Sequence, residues 1–336
     1  MGIPFAVSVL PVFLFLGALL LLDSYKLIPM RAILLAVAAG TAAGSVGYAI
    51  NVSLQPALGM DLRRYSILVA PVIEETLKAL YIVWLLRRNK VGFVVDAATY
   101  GFAVGTGFAF IENIFSLQIH PNPTIWTWIV RGFGTALMHS GTTAILAMIA
   151  RTLHHRGPGF RTVLIVPGLL VAIVLHSLYN QFLVAPLLAT ALIVLVFPYI
   201  VMFLFKKSER ETKSWLGTGF DTDQELLRVM RAGGMGDTPV GLYLQGLRET
   251  FPPEVIVDMM CLLRLRAELG IKAKGMLLMR EAGFEADPDP TLQSKLDEMR
   301  YLERSIGRTG MRALKPFVHT STQDLWQLNL LDGTPR

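Results

Sequence analysis

"PVIEETLKAL", residues 71–80, sets two adjacent carboxylates and a lysine into a run that otherwise reads as a lipid-facing helix. If it is a membrane span, Glu74, Glu75 and Lys78 lie about ten residues deep. Each charge there costs about 2.5–3.5 kcal/mol even on the lenient insertion scale. Charges placed at that cost need partners in a protein interior, so this stretch ties the fold to the chemistry.

Composition supports the membrane reading. Of 336 residues, 53% are hydrophobic and 17% are charged, against about 25% charged in soluble domains. A span needs about 20 apolar residues, and seven such segments are predicted: 4–22, 29–50, 65–86, 91–118, 124–150, 161–182 and 185–205. The fold expected is therefore all-α, a polytopic helical membrane protein with about seven transmembrane helices followed by a soluble helical domain. The first segment lacks a basic leader region and an A-x-A cleavage site, so it is read as a retained span and not as a signal peptide.

Loop charge orients the chain. The loops at 23–31, 87–90 and 151–161, and the start of the tail at Lys206 and Lys207, are basic, whereas 119–123 and 183–184 contain no Lys or Arg. Basic loops stay cytoplasmic, which puts the N-terminus outside and the C-terminus in the cytoplasm of a cell membrane. Arg63 and Arg64 dissent, because the loop at 51–64 falls on the outer side. No internal repeat is evident, which counts against an inverted-repeat transporter.

The domains expected are 1–205, in the membrane, and 206–336, cytoplasmic. The first holds 12 Lys/Arg and 6 Asp/Glu and the second 19 of each, so the net charge of +6 belongs to the membrane part. A neutral, mixed tail argues against nucleic acid as a partner. "DTDQELLRVMRAGG" (221–234) predicts a helix capped by Asp221 or Asp223 and stopped by glycine. "PPEVIVDMMCLLRLRAELG" (252–270) and "DPTLQSKLDEMRYLERSIGRTG" (289–310) repeat that pattern, with Pro near the start and Gly at the end. Nothing in the tail has catalytic spacing, so it reads as a regulatory or docking module for a cytoplasmic partner. The one cysteine, Cys261, excludes an internal disulfide and any multi-thiolate metal site.

Setting aside residues near span ends, which can snorkel to the interface, the polar residues inside the spans are Glu74, Glu75, Lys78, Glu112, Asn113, Arg131, His139, His176 and Asn180. Asp96, one turn inside the cytoplasmic end, is expected to reach solvent. Lys78 is i+4 from Glu74 and i+3 from Glu75, so it can pair with either. His176 and Asn180, and likewise Phe108 and Glu112, are i,i+4 and form stripes. At ~1.5 Å per residue these groups overlap in depth on four helices, and glycines at 101, 105, 107, 132, 134 and 141 allow close helix approach. A lone intramembrane His or Asn is often interhelical glue, and a Glu–Lys cluster can be an ion network fixing register. Arg131 reads as a counter-charge or an interfacial residue. Carboxylates, imidazoles and an amide donor at one depth are nonetheless the inventory for activating water and stabilising an oxyanion.

Four ordered motifs, "EETLK" (74–78), "FAFIEN" (108–113), "MHS" (138–140) and "LHSLYN" (175–180), resemble those of the PrsW-like intramembrane proteases, relatives of the CAAX prenyl-endopeptidase and bacteriocin-processing superfamily. The resemblance covers spans 3–6. It implies a membrane protease that cuts membrane-anchored proteins, with anti-sigma-factor cleavage as the best-known family role. Carried onto this chain, it implies Glu74 as the base that activates water, Glu75 as the residue that orients it, Lys78 as the basic residue closing the motif, and His176 and Asn180 as oxyanion stabilisers. Two positions depart from the prenyl-peptidase form: E-E-x-x-x-R becomes Glu-Glu-x-x-Lys, and F-x-x-x-H becomes Phe108-x-x-x-Glu112.

The catalytic candidates are thus Glu74, Glu75, Glu112, His139, His176 and Asn180, supported by Lys78, Asn113 and Phe108. No serine has an evident Lys or His partner at helix spacing, which disfavours a covalent mechanism. A metal, if held, would use some of Glu74, Glu75, Glu112, His139 and His176. Zinc stays open, but H-E-x-x-H is absent and the reading leans to metal-free glutamate catalysis. The rival functions are a proton- or cation-coupled transporter, a CAAX-type prenyl-protein or bacteriocin-processing protease, and a non-catalytic receptor. The partners expected are the lipid bilayer and a membrane-anchored protein substrate.

Overall fold

The computed structural model describes residues 2–23, 28–119, 124–154, 162–284, 289–317, 326, 327 and 331, and every regular element among them is helical. The chain divides into two units, Met1–Glu209 and Arg210–Arg336. The first contains α1 (Gly2–Leu22), α2 (Met30–Ala57), α3 (Leu62–Leu68), α4 (Ala70–Arg87), α5 (Val94–Ile119), α6 (Ile125–Ile129), α7 (Ala136–His154), α8 (Val166–Asn180) and the start of α9 (Pro186–Arg231).

Five stretches are long and apolar enough to cross a membrane: Met30–Ala57, Val94–Ser116, Ile125–His154, Thr162–Asn180 and Pro186–Gly217. The protein is an integral membrane protein. Two of the seven predicted segments fall outside this set. In α1, 21 residues long, the apolar stretch counted is Ala6–Leu22, and α4 is 18 residues long and carries Glu74, Glu75, Lys78 and Arg87, too many charges for an ordinary span.

The predicted span 65–86 is two helices. Pro71 has no N–H to offer the carbonyl of Ile67, and its ring crowds that carbonyl. The chain therefore breaks at Val69, with Pro71 in the first turn of α4, where a missing N–H costs nothing. The short α3 is released as a separate element, capped by Asp61, whose side chain accepts from the Arg64 N–H.

The centre of the unit is α5, buried along most of its length, whereas α8 and the membrane part of α9 are mostly exposed. Small residues set this position. A Cβ on Gly107 would run into the Val37 carbonyl of α2, and one on Gly105 would meet the His139–Ser140 backbone of α7. Gly141, expected to serve the same purpose, does not: a Cβ there would meet nothing across the helix boundary among the described residues. Asp96 does not reach solvent: it is buried, and its Oδ2 accepts from the Gly92 and Phe93 N–H groups, 2.9 Å each, closing the first turn of α5.

In the second unit, α10 (Pro239–Gly246), α11 (Pro253–Glu281) and α12 (Leu292–Leu314) pack around Met259, Leu262, Leu269, Leu296 and Leu302. Three expectations are corrected here. Asp221 and Asp223 cap nothing, because both lie inside α9, which runs on until Gly233 turns left-handed at φ 71°. α11 passes Gly270 and ends near Gly283, at φ 83°. α12 is interrupted at Gly307, at φ 69°.

Candidate active site

Four helices and one irregular turn bring the intramembrane polar residues together. On α4, three residues from Glu75 to Lys78 bring the pair onto one face. Lys78 chooses this glutamate, with Nζ 2.6 Å from Glu75 Oε1 and both side chains fully buried. Glu75 Oε1 also accepts from Thr142 Oγ1 on α7, at 3.3 Å, and lies 2.9 Å from His176 Nδ1 on α8. An ionised carboxylate can only accept, so this contact places a proton on His176 Nδ1 and turns Nε2 to the other side of the ring. That nitrogen faces Glu74, 3.8 Å from Oε2.

Glu74 does not pair with Lys78. Its Oε1 instead accepts from Asn51 Nδ2 on α2, at 2.9 Å, which leaves Oε2 turned toward the imidazoles. His139, on α7, stands edge-on to His176 with ring centroids 4.8 Å apart. Its Nδ1 is 3.3 Å from Lys78 Nζ and its Nε2 is 2.6 Å from Glu112 Oε2. The Glu112 contact is an ion-pair contact, and Oε2 is a buried oxygen with no other partner among the described residues. Phe108 closes the floor, its ring 4.8 Å from Lys78 Nζ and 5.0 Å from the His139 ring.

Between α6 and α7 the backbone makes a π-turn, Val130–Thr135. Such turns insert one residue into the helical ladder and cluster at functional sites. Here Arg131 lies at 3.1 Å from Glu112 Oε1, and its Nε donates to Asn113 Oδ1 at 2.9 Å. Of its two readings, the counter-charge is the one the geometry matches.

Glu74, Glu75, Lys78, Phe108, Glu112, His139 and His176 thus form one continuous network. Asn113 stands at its edge, with Nδ2 donating to the Ser8 carbonyl of α1. Asn180 points elsewhere: its Nδ2 donates to the Ser66 carbonyl of α3, at 2.8 Å. Sequence reasoning missed Asn51, Thr142 and the π-turn. The only sequence signal for the turn is the pair Gly132 and Gly134 directly after an intramembrane arginine, Arg131.

The donor set suits a metal ion. Ligand atoms of Glu74, His139 and His176 all lie within 4.8 Å of one another. Two ligands of a tetrahedral zinc with bonds of about 2.1 Å stand about 3.4 Å apart, so side-chain adjustments of about 1 Å close the set. Two imidazoles and one carboxylate are a known catalytic zinc set. Behind His176, Glu75 supplies the carboxylate that fixes ligand tautomers in such sites.

No curated protein and no solved structure matches the chain. Residues 28–205, more than half of it, match the family model described as PrsW family intramembrane metalloprotease. That match spans every residue of the network, and the word metalloprotease weighs against a metal-free reading. The chain belongs to the PrsW family of intramembrane proteases.

Proposed function

We propose that this protease hydrolyses a peptide bond in a membrane-anchored, single-span protein, with Glu74, His139 and His176 as the residues that hold a metal ion, zinc by donor chemistry. The observation that carries this reading is the convergence of those three side chains inside an apolar helix bundle. A zinc ion bound there would supply a Lewis acid for the scissile carbonyl and for water. The chain's own residues do the rest. Glu75 holds the proton on His176 Nδ1, and Lys78 balances the charge of Glu75. Glu112 Oε2 is the carboxylate oxygen that would take a proton from water once it leaves His139 Nε2, while Arg131 holds Oε1. Ligation through His139 Nε2 requires Glu112 to turn aside or to join the ligand set, because the two atoms now touch.

A second reading keeps Glu74 as the base in a metal-free site. It is favoured by the engagement of both His139 ring nitrogens, one by Lys78 and one by Glu112. We further read the chain as seven spans with the N-terminus outside and a cytoplasmic 206–336 domain that docks or regulates, on the loop charges given above.

The deciding experiment co-expresses native and Glu74→Gln protein with candidate single-span proteins and measures zinc in each purified protease. Loss of both cleavage and zinc supports the first reading. Loss of cleavage in active-protein preparations that never held zinc supports the second. Full cleavage by Glu74→Gln sinks both.

A further inference from the structure

Glu74 is held from α2, a helix outside the four that carry the motifs. The contacts behind it form a chain. Tyr65, on α3, is 2% exposed, and its hydroxyl donates to Asn51 Oδ1 at 2.8 Å. Asn51, near the end of α2, donates through Nδ2 to Glu74 Oε1 at 2.9 Å. Amide oxygen and nitrogen are easily exchanged in coordinates, but here chemistry fixes them. Glu74 as a carboxylate only accepts, so it must face the Nδ2 end, and the Tyr65 hydroxyl then faces Oδ1.

The first link stands on an element with little else to do. α3 is seven residues long, and its Leu62 and Leu68 are 73% and 62% exposed, so it contributes little apolar packing. Its polar contacts are specific. Asn180, the last motif residue, spends its amide on the Ser66 carbonyl of α3 and not on the metal-ligand cluster. Pro71 creates the break that lets α3 leave the axis of α4.

We infer that Tyr65 and Asn51 are positioning residues: α3, tied to α8 by Asn180, holds Tyr65 on Asn51, and Asn51 fixes the Glu74 carboxylate with Oε2 toward His139 and His176. This rests on Glu74 being a ligand in the proposed site. It also gives Asn180 a mechanical role in place of the oxyanion role that the family resemblance implied.

The test titrates full-length detergent-purified protein with Zn²⁺ alone against a chromogenic chelator and records metal-free thermal midpoints. Removing an outer-shell partner of a ligand weakens metal binding by about 10–100-fold. Tyr65→Phe, which keeps the ring, Asn51→Ala and Asn180→Ala should each show such a loss, with Glu74→Gln losing zinc altogether. Because the contacts act in series, Tyr65→Phe combined with Asn51→Ala should bind no more weakly than Asn51→Ala alone. Native zinc affinity in Tyr65→Phe or Asn180→Ala, or losses that add in the double variant, would overturn the inference. Should Asn51→Ala fail to fold, the two remaining variants still decide. Native affinity in Glu74→Gln would instead remove the site reading itself, so the two failures are told apart.

Discussion

Lys78 in the membrane unit and Lys274 in the second unit are 0% and 2% exposed. Each meets one carboxylate, Glu75 at 2.6 Å and Asp223 at 2.5 Å, and each lies over one aromatic ring, Phe108 at 4.8 Å and Trp215 at 5.4 Å from the centroid. The difference is in what the carboxylate does next. Asp223 keeps 22% of its side chain in solvent. Glu75 has none, and passes its charge to His176, which faces Glu74, while Lys78 itself reaches His139. A buried ion pair alone is weak evidence of anything but a specified fold. Imidazoles on both sides of the pair make the same arrangement part of a larger polar network.

The comparison breaks first at Glu74. Glu74→Gln keeps size and most hydrogen bonding but removes the charge, and His176→Ala removes the imidazole. Both should lower cleavage of a co-expressed substrate by more than about 10³-fold, beyond the cost of a single lost oxyanion donor, with insertion intact. Folded Glu74→Gln protein that still cuts would reduce the membrane network to the status of the Lys274 pair.

Next in size is Lys274→Met. It removes the buried ammonium that Asp223 faces, and breaking a buried pair costs about 3–5 kcal/mol; the partial exposure of Asp223 puts the expectation near the lower end. Denaturant unfolding of the purified chain should show the loss while cleavage per folded molecule stays native. Lys274→Met with Asp223→Leu should recover most of it, since paired removal leaves no orphan charge. No recovery would mean that the tail pair also belongs to a larger polar network.

Much of this contrast was legible in the sequence. The spacing of Glu74, Glu75 and Lys78 lets the lysine pair with either glutamate, of which it meets Glu75, and the overlapping depths of Glu112, His139 and His176 predict their meeting. Asn51 and Tyr65 were not legible, because both fall at the edge of a predicted loop and meet Glu74 only after Pro71 has separated α3 from α4. The contact that Asn180 makes was not legible for a related reason. It lies one turn past His176 on the same stripe, far enough along α8 to face α3 instead of α4. In the tail, the capping aspartates failed because a cap is a local signal. Residues 199–216 contain neither Gly nor Pro, so α9 propagates from the membrane span straight through them.

Glu75→Gln should have a smaller effect than Glu74→Gln. The amide can still meet Lys78 or His176 but not balance both, so His176 loses its fixed tautomer. Outer-shell losses of this kind run to about 10–100-fold in metal affinity or activity. A loss as complete as that of Glu74→Gln would place Glu75 at the reacting atoms instead of behind His176.

The finest test exchanges the two rings. A lysine over an aromatic face gains about 0.5–1 kcal/mol when exposed and about 2 kcal/mol when desolvated, so Phe108→Leu and Trp215→Leu remove similar energies from Lys78 and Lys274. Trp215 also meets Trp326 at 6.4 Å between centroids, so its loss should appear as a lower unfolding midpoint and leave cleavage unchanged. Phe108 touches the His139 ring as well as Lys78, and leucine cannot replace a flat face against an imidazole. Phe108→Leu should therefore lower cleavage by up to about 30-fold, the rate equivalent of about 2 kcal/mol, with a smaller change in midpoint. If both substitutions moved only the midpoint, Phe108 would serve Lys78 as Trp215 serves Lys274, by adding stability and nothing else. If Phe108→Leu moved only turnover, the ring would be positioning His139 rather than stabilising the lysine.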